Sequence, residues 1–555
     1  MCIEDRTYVS IACPSNQGCD PTTRLCAERV CAPGAQACID AQTETVCAPN
    51  CLGYVSHRCE AGPCEGDRCR DAACSPGTTR CRDATTVETC NVTGTAWEGA
   101  MTCGARDVCA EGRGCISQCE AAAADPSTVG CSFFAVDMDT HEEELPDAVV
   151  VLNPSASSPA SVKIYSSPGG VETLLADGIE IAPLGSYTFS IPNTPTDVID
   201  SVSLLRKGGA FRIASDIPVQ AIQHAQLGAP LASPDGACLI PESALGRDYV
   251  VASYQALSAQ FPSYFDVIAT VDATQVTVTA GAPTTAGNGV PAMTAGESRT
   301  FVMNRYDTLR AVSSSDVSGT RITASAPVSV FGASTCAQIP VGSTACDALS
   351  EQMAPTQTWG KTYVLAHHPQ RSATEPYHFR IFAADDDTVI TATPAVAGLP
   401  ATLAKNGFVD IVAPAANNRA VGSFVLTSSK RFAVTHYMTG ATAAGGSNSQ
   451  GDPLMTTVIP VEQYVNRTLA FLPETFPTSY IQIIRSTKEP VTIDGSEVPS
   501  ASFYDVGAYS VADVSVASGL HVVESSAPIG VSTFGTYFYA SHGEPAAMSL
   551  RPVNP

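Results

Sequence analysis

The chain has 555 residues, 22 of them cysteine, and carries 54 acidic against 30 basic side chains, a net charge of −24. That length predicts several buried cores rather than one domain, and the acidic balance repels phosphate backbones and excludes nucleic acid as a partner. No apolar run reaches the about 18 residues needed to cross a bilayer as a helix.

The first element is a cysteine-rich segment over residues 1–119. Nineteen of the cysteines lie at or before Cys131, and none shows the Cys-x-x-Cys spacing of zinc ribbons or thioredoxin-like sites. The pattern reads as a disulfide framework, which places the chain outside a reducing cytosol. Cys31, Cys38, Cys47, Cys59, Cys64 and Cys69 are spaced 7, 9, 12, 5 and 5 apart, and Cys74, Cys81, Cys90, Cys103, Cys109 and Cys115 are spaced 7, 9, 13, 6 and 6. This is one module written twice, with Cys51 added to the first copy. Cys2, Cys13, Cys19 and Cys26 read as the last four cysteines of an earlier copy. The opening Met-Cys-Ile-Glu-Asp-Arg lacks the features of a secretory signal. Residue 1 is therefore expected to lie inside a longer precursor, with room upstream for a signal or lipid anchor.

After an Ala-rich join at Ala121 to Asp125, apolar and polar residues alternate, and Gly, Pro, Asn and Asp breaks are frequent. These features predict an all-β region. A strand "PVQAIQHAQ" from Pro218 returns as "PVSVFGAST" from Pro327, "RFAVTHYMT" from Arg431 and "PIGVSTFGT" from Pro528. Each follows a stretch ending in a Ser-rich segment, "FRIAS", "TRITAS", "FVLTSS" or "HVVESS", which reads as a hairpin. "FDVIATVDATQVTVTA" and "FRIFAADDDTVITATP" likewise read as hairpins turning at Asp-Ala-Thr and Asp-Asp-Asp-Thr. The expected organisation is four tandem units of roughly 100 residues, at 131–240, 241–355, 356–458 and 459–555. Each suits a two-sheet β-sandwich, with a closed four-unit toroid, propeller-like, as the alternative.

"CDALSEQMAPTQTWGKTY", from Cys346 to Tyr363, resembles the motif of the IgG Fc-binding protein N-terminal region family, which also occurs in bacterial surface proteins. Asp347, Glu351, Gln352, Trp359 and Gly360 carry the resemblance. Ala348 and Ala354 depart from it, standing where the family has His and Pro. The resemblance implies an extracellular, repeat-built binding or matrix module; it does not imply that this chain binds immunoglobulin.

Cys336 and Cys346 are expected to bond to each other. They share one loop, and the nine residues between them, including Pro340 and Gly342, can bring the α-carbons into disulfide range. Cys238 is either a buried thiol or the partner of Cys131.

Signatures of catalysis are missing from the sequence: no nucleophile elbow, zinc-protease helix, phosphate loop or dinucleotide fingerprint. "HEEEL" from His141 lacks a second histidine, and Asp137, Asp139 and Glu142 to Glu144 lack the glycine of a calcium loop. A solvated acidic loop is the first reading there and weak calcium binding near Asp137 and Asp139 the second; no other cofactor is expected. His224 and His436 hold nearly equivalent strand positions, and His367 and His368 end another strand. In a toroid they would converge on an axis and could bind a metal or ligand, though scattered histidines are more often satisfied strand residues.

The expected function is that of a secreted or surface-anchored, non-enzymatic binding or adhesion protein engaging an extracellular protein or glycan. The alternatives are a structural coat or fibre component and, behind it, a divergent secreted hydrolase. A Tyr- and Thr-lined face would favour binding, and a deep site with paired carboxylates or a histidine triad would favour hydrolysis.

Overall fold

The computed structural model describes all residues except 1, 5–8, 12, 21, 24, 60–61, 70–72, 76, 92–94, 142–145, 193–201, 228–234, 344, 373–374, 414–421, 445–449 and 554–555. The Glu142 to Glu144 part of the acidic loop therefore lies outside the described residues. The chain divides into two compact units, Met1–Ala121 and Ala122–Pro555.

The first unit is made of short antiparallel ladders of two or three strands. So little backbone pairing buries little apolar surface, and cross-links supply the stability, each worth about 3 kcal/mol by the loop-entropy estimate. Cys31–Cys47, Cys38–Cys64 and Cys59–Cys69 form one set, and Cys74–Cys90, Cys81–Cys109 and Cys103–Cys115 another. In both sets the first cysteine of six bonds the third, the second the fifth and the fourth the sixth. Cys51 is a buried free thiol.

The strand ladders described in the second unit are antiparallel, and three long strands organise most of it: Ala210–His224, Arg321–Ala337 and Gly519–Tyr537. Each collects partners on both edges of both halves. Arg321–Ala337 pairs through its first half with Thr274–Thr279 and Gly246–Val250, and through its second with Ser263–Ala269 and Asp347–Gln352. The Ser-rich segments thus do not close hairpins. They lie inside one continuous strand where it changes partners, and Pro218, Pro327 and Pro528 sit at those changeovers, where a missing N–H breaks no ladder. Only around Ser428 does the strand break, giving Phe424–Ser428 and Phe432–Met438 in separate sheets.

The Asp-Ala-Thr and Asp-Asp-Asp-Thr turns also differ from expectation. Ala273 and Asp387 adopt the left-handed conformation of a tight turn (φ 56° and 51°). The flanking strands do not pair with each other, however: Ser263–Ala269 and Thr274–Thr279 lie on opposite halves of the same long strand. Each turn carries the chain from one layer to the other. The layers enclose cores such as that of Tyr249, Phe265, Val276, Val278, Leu309, Ile322 and Val330.

Four short strands follow the long ones: Gly236–Cys238, Asp347–Gln352, Leu454–Thr457 and Ala540–Pro545. The first packs against the second, the second against the third, the third against the fourth, and the fourth against the first. Near them, Ile240, Leu245, Val364, Ile459, Ile484 and Met548 make one apolar cluster. The two ends of this unit meet, with the Thr128 N–H donating to the Met548 carbonyl (3.0 Å) and the Leu550 N–H to that of Pro126 (2.9 Å).

Candidate functional site: buried motif, histidine cluster and open cleft

Asp347–Gln352 pairs with the second half of the long strand Arg321–Ala337 and packs against Gly236–Cys238 and Leu454–Thr457. All five motif residues are buried. Gln352 accepts from the Ile240 N–H (2.7 Å) and donates to Ser329 Oγ (2.7 Å). Glu351 accepts from the Thr457 N–H (3.0 Å). Two adjacent side chains therefore reach backbone groups more than a hundred residues away in opposite directions along the chain. Asp235, which no motif reading included, accepts from the N–H groups of Ser350 (3.0 Å) and Met455 (3.3 Å). Burial pushes the Glu351 and Asp235 carboxyls well above their ordinary range, and nearby Glu544 adds to the rise.

Trp359 is buried and donates to the Ala354 carbonyl (3.1 Å). A Cβ added to Gly360 would lie 2.3 Å from Pro460 Cβ and 2.6 Å from Glu462 Oε2. Gly246 and Gly130 meet Pro355 and Pro241 in the same way, at 2.3 and 2.5 Å. The parallel extends to a tyrosine three residues on: Gly246 donates to Tyr249 Oη (2.7 Å) and Gly360 to Tyr363 Oη (3.2 Å), and each hydroxyl then donates to a strand carbonyl. Because the obstruction at Gly360 is a rigid proline ring, Gly360→Ala is expected to destabilise by about 1–3 kcal/mol. Chemical denaturation should show a lower midpoint with an unchanged slope.

Cys336 and Cys346 are joined, with their α-carbons 5.2 Å apart. Cys238 is a buried free thiol whose pKa burial pushes up, and Cys131 is disulfide-bonded.

Asp137 and Asp139 lie against an arginine. Buried Arg310 makes a two-pronged contact with Asp266 (2.9 and 2.7 Å), donates to the Asp137 carbonyl (2.9 Å) and pairs with the Asp139 carboxylate. The cation beside these acids is a guanidinium. Arg380 repeats the arrangement, gripping Asp410 (2.7 and 2.9 Å) and reaching Asp316 (2.6 Å). Neither arginine stands in a recognisable motif. Their signal was a lone cation inside an otherwise apolar strand, in "TLRAVS" and "YHFRIFA", within a chain poor in bases.

The histidines fall into two groups. His367, His368 and His436 come together, with His436 stacked on His368 (ring centroids 5.3 Å apart). His224 instead stands beside His542 (6.3 Å), which contacts Glu544 (3.1 Å). Burial lowers the pKa of His367 and His436, and neighbouring His368 adds to the effect. Glu375 is buried, which alone would raise its pKa, but His368 and Arg371 hold its carboxyl well below the ordinary range.

Asp452 is buried nearby, and burial pushes its carboxyl up to about 7 against the opposing pull of Arg371. A raised carboxyl pKa means the folded state binds the proton more tightly, so stability is lost as pH rises from the unfolded value near 4 through about 7. Asp452→Asn, which keeps the neutral shape, is expected to be neutral near pH 4. It should stabilise by about 3–4 kcal/mol near pH 8. Thermal unfolding across that window checks the sign.

An open cleft of about 370 Å³ is lined by Gln370, Arg371, Gln450, Thr478, Tyr480 and Tyr537 among others, the first two lying just after His367 and His368 in the chain, with no acidic side chain among its described lining. A second, of about 570 Å³, is lined by Leu204, Leu205, Phe211, Arg206 and Lys207. The void beside Trp359 is only about 40 Å³, the size of a water site rather than a ligand pocket.

The family model for IgGFc binding protein matches residues 235–535. Over 344 residues the chain is 27% identical to the IgGFc-binding protein of Homo sapiens, an alignment covering 58% of this chain and 6% of that relative. The chain thus spans a small fraction of that relative's length. No solved structure matches it. The matched span begins at Asp235, runs through the buried Glu351, Gln352, Trp359 and Gly360, and takes in more than half of the chain, which therefore belongs to the IgGFc binding protein family.

Proposed function

We propose that this chain is a non-enzymatic extracellular binding protein, secreted or anchored at a cell surface, that holds a protein or glycan partner on the outside of its large β-unit. Family membership supports a binding role. The disulfide pairs support an oxidising compartment. The observation that carries the reading is the division of labour: the motif residues are spent on internal contacts, while Tyr480 and Tyr537 line an open cleft with threonines and amides. Rigid aromatic faces with adaptable hydrogen-bonding groups suit a sugar or a polar protein surface. In this reading residues 131–240, 241–355, 356–458 and 459–555 are four related units arranged as a ring.

The human relative's name supplies the first partner to test, immunoglobulin G Fc, with an array of extracellular glycans beside it. Binding of the immobilised full chain is expected to one of these classes, and Tyr480→Ala with Tyr537→Ala should weaken it at least tenfold while leaving thermal unfolding unchanged. Undiminished binding by that variant would move the contact elsewhere. A hydrolytic product from any arrayed glycan would defeat the non-enzymatic reading.

A further inference from the structure

We propose that His367, His368 and Glu375 form a buried site for a divalent cation of the Zn²⁺ class. One ligand atom from each lies within 4.8 Å of the other two, and all three residues are buried. His368 Nε2 stands 3.1 Å from Glu375 Oε1. Two ligands bound at about 2.05 Å to a tetrahedral ion stand about 3.3 Å apart, so that pair is already at ligand spacing, and only His367 needs to swing in.

The imidazoles are oriented for the task. His367 Nδ1 faces the His368 carbonyl, and His368 Nδ1 faces the Pro369 carbonyl (3.3 Å). A carbonyl fixes the proton on the nitrogen that faces it. Each Nε2 can then offer its lone pair to an ion, the arrangement that such carbonyls impose on metal-binding histidines; at His368 the ion would take the place of the proton that Nε2 shares with Glu375. His367 Nε2 is buried with no hydrogen-bond partner among the described residues. Such an atom costs free energy unless something binds it.

Glu375 supplies the negative charge. It is steadied by Arg371, whose Nε donates to Oε1 (3.0 Å) and whose N–H donates to Oε2 (3.1 Å). Arg371 Nη2 and Thr439 Oγ1 (3.3 Å) also donate to Oε1, and these donors would stay on the carboxylate as outer contacts. Two imidazoles and one carboxylate match the borderline cations better than Ca²⁺ or Mg²⁺, which prefer all-oxygen sets. None of the three side chains lines the open cleft, so the role is to fasten the turn after Thr362–Leu365 to the strand Tyr377–Ala383, not to present a metal-bound water to a substrate.

The test uses the full chain, stripped with a chelator and titrated with Co²⁺. The expected result is visible d–d absorption that saturates at one ion per chain, is displaced by Zn²⁺, and brings a rise of several degrees in the unfolding midpoint with either metal. His367→Gln and Glu375→Gln should each weaken binding at least tenfold, while His57→Ala, an exposed histidine in the first unit, should not. Circular dichroism establishes that the variants fold; should either fail, native mass spectrometry of the wild-type chain with Zn²⁺ decides by whether one ion is retained. No saturable absorption and no retained ion in the wild-type chain, or equal binding by the folded variants, would overturn the site.

Discussion

Arg310→Met is expected to be the most damaging single change in the β-unit, lowering stability by about 3–5 kcal/mol near neutral pH. The guanidinium is buried and bonds the Asp266 carboxylate with both of its prongs, and it also serves the Asp137 carbonyl and the Asp139 carboxylate. Methionine fills the space but leaves two carboxylates buried without a counter-charge. The penalty should shrink in acid. Burial already raises the Asp139 carboxyl against the opposing pull of Arg310, and removing Arg310 withdraws that pull, so protonation in acid removes charge that the fold cannot accommodate. Adding Asp139→Asn and Asp266→Asn to Arg310→Met should recover part of the loss at pH 7. A denaturation series over pH 4–8 checks both statements, and a pH-independent loss would mean that packing rather than charge is what Arg310 supplies.

Gln352→Ala should be the next most costly, at about 2–5 kcal/mol. The truncation orphans the Ile240 N–H and Ser329 Oγ, two buried groups worth about 1–3 kcal/mol each when unpaired, and it opens a cavity besides. Gln352→Glu tests the hydrogen bonding apart from the volume: it keeps the acceptor for Ile240, loses the donor to Ser329 and buries a charge. It should therefore also destabilise, and more at pH 8 than at pH 5. An unchanged unfolding midpoint for Gln352→Ala would show that the 2.7 Å contacts are not made in solution.

The sequence made the fold class readable because period-two alternation over Cys131 to Pro555 records one apolar face per strand, whatever the sheet arrangement. Strand partners were less legible. "FRIASDIPVQ" reads as two strands around a Ser-rich turn, yet Ala210–His224 runs through, since Pro218 falls where the strand exchanges partners and no ladder needs its N–H. The motif was legible as residues but not as contacts. Nothing local in "SEQ" tells that Glu351 and Gln352 reach Thr457 and Ile240, because those distances are closed only by the tertiary fold. Asp235, Arg310, Arg380 and Glu375 were missed for the same reason: each is a polar residue explained by a partner far away in sequence. The histidine grouping was half visible, for His436 does meet His367 and His368, while His224 turns instead to His542 and Glu544.

If the family motif fastens the fold internally and binding is done elsewhere, native-state hydrogen exchange of the full chain should show it most directly. The Ile240 and Thr457 amides donate to Gln352 and Glu351, so they are predicted to exchange only through global unfolding, as slowly as core amides such as Val330, and to stay slow when a partner is bound. Fast exchange at Ile240 and Thr457 in the free chain, with protection appearing only when partner is added, would mark the motif as an exposed binding surface and contradict the account.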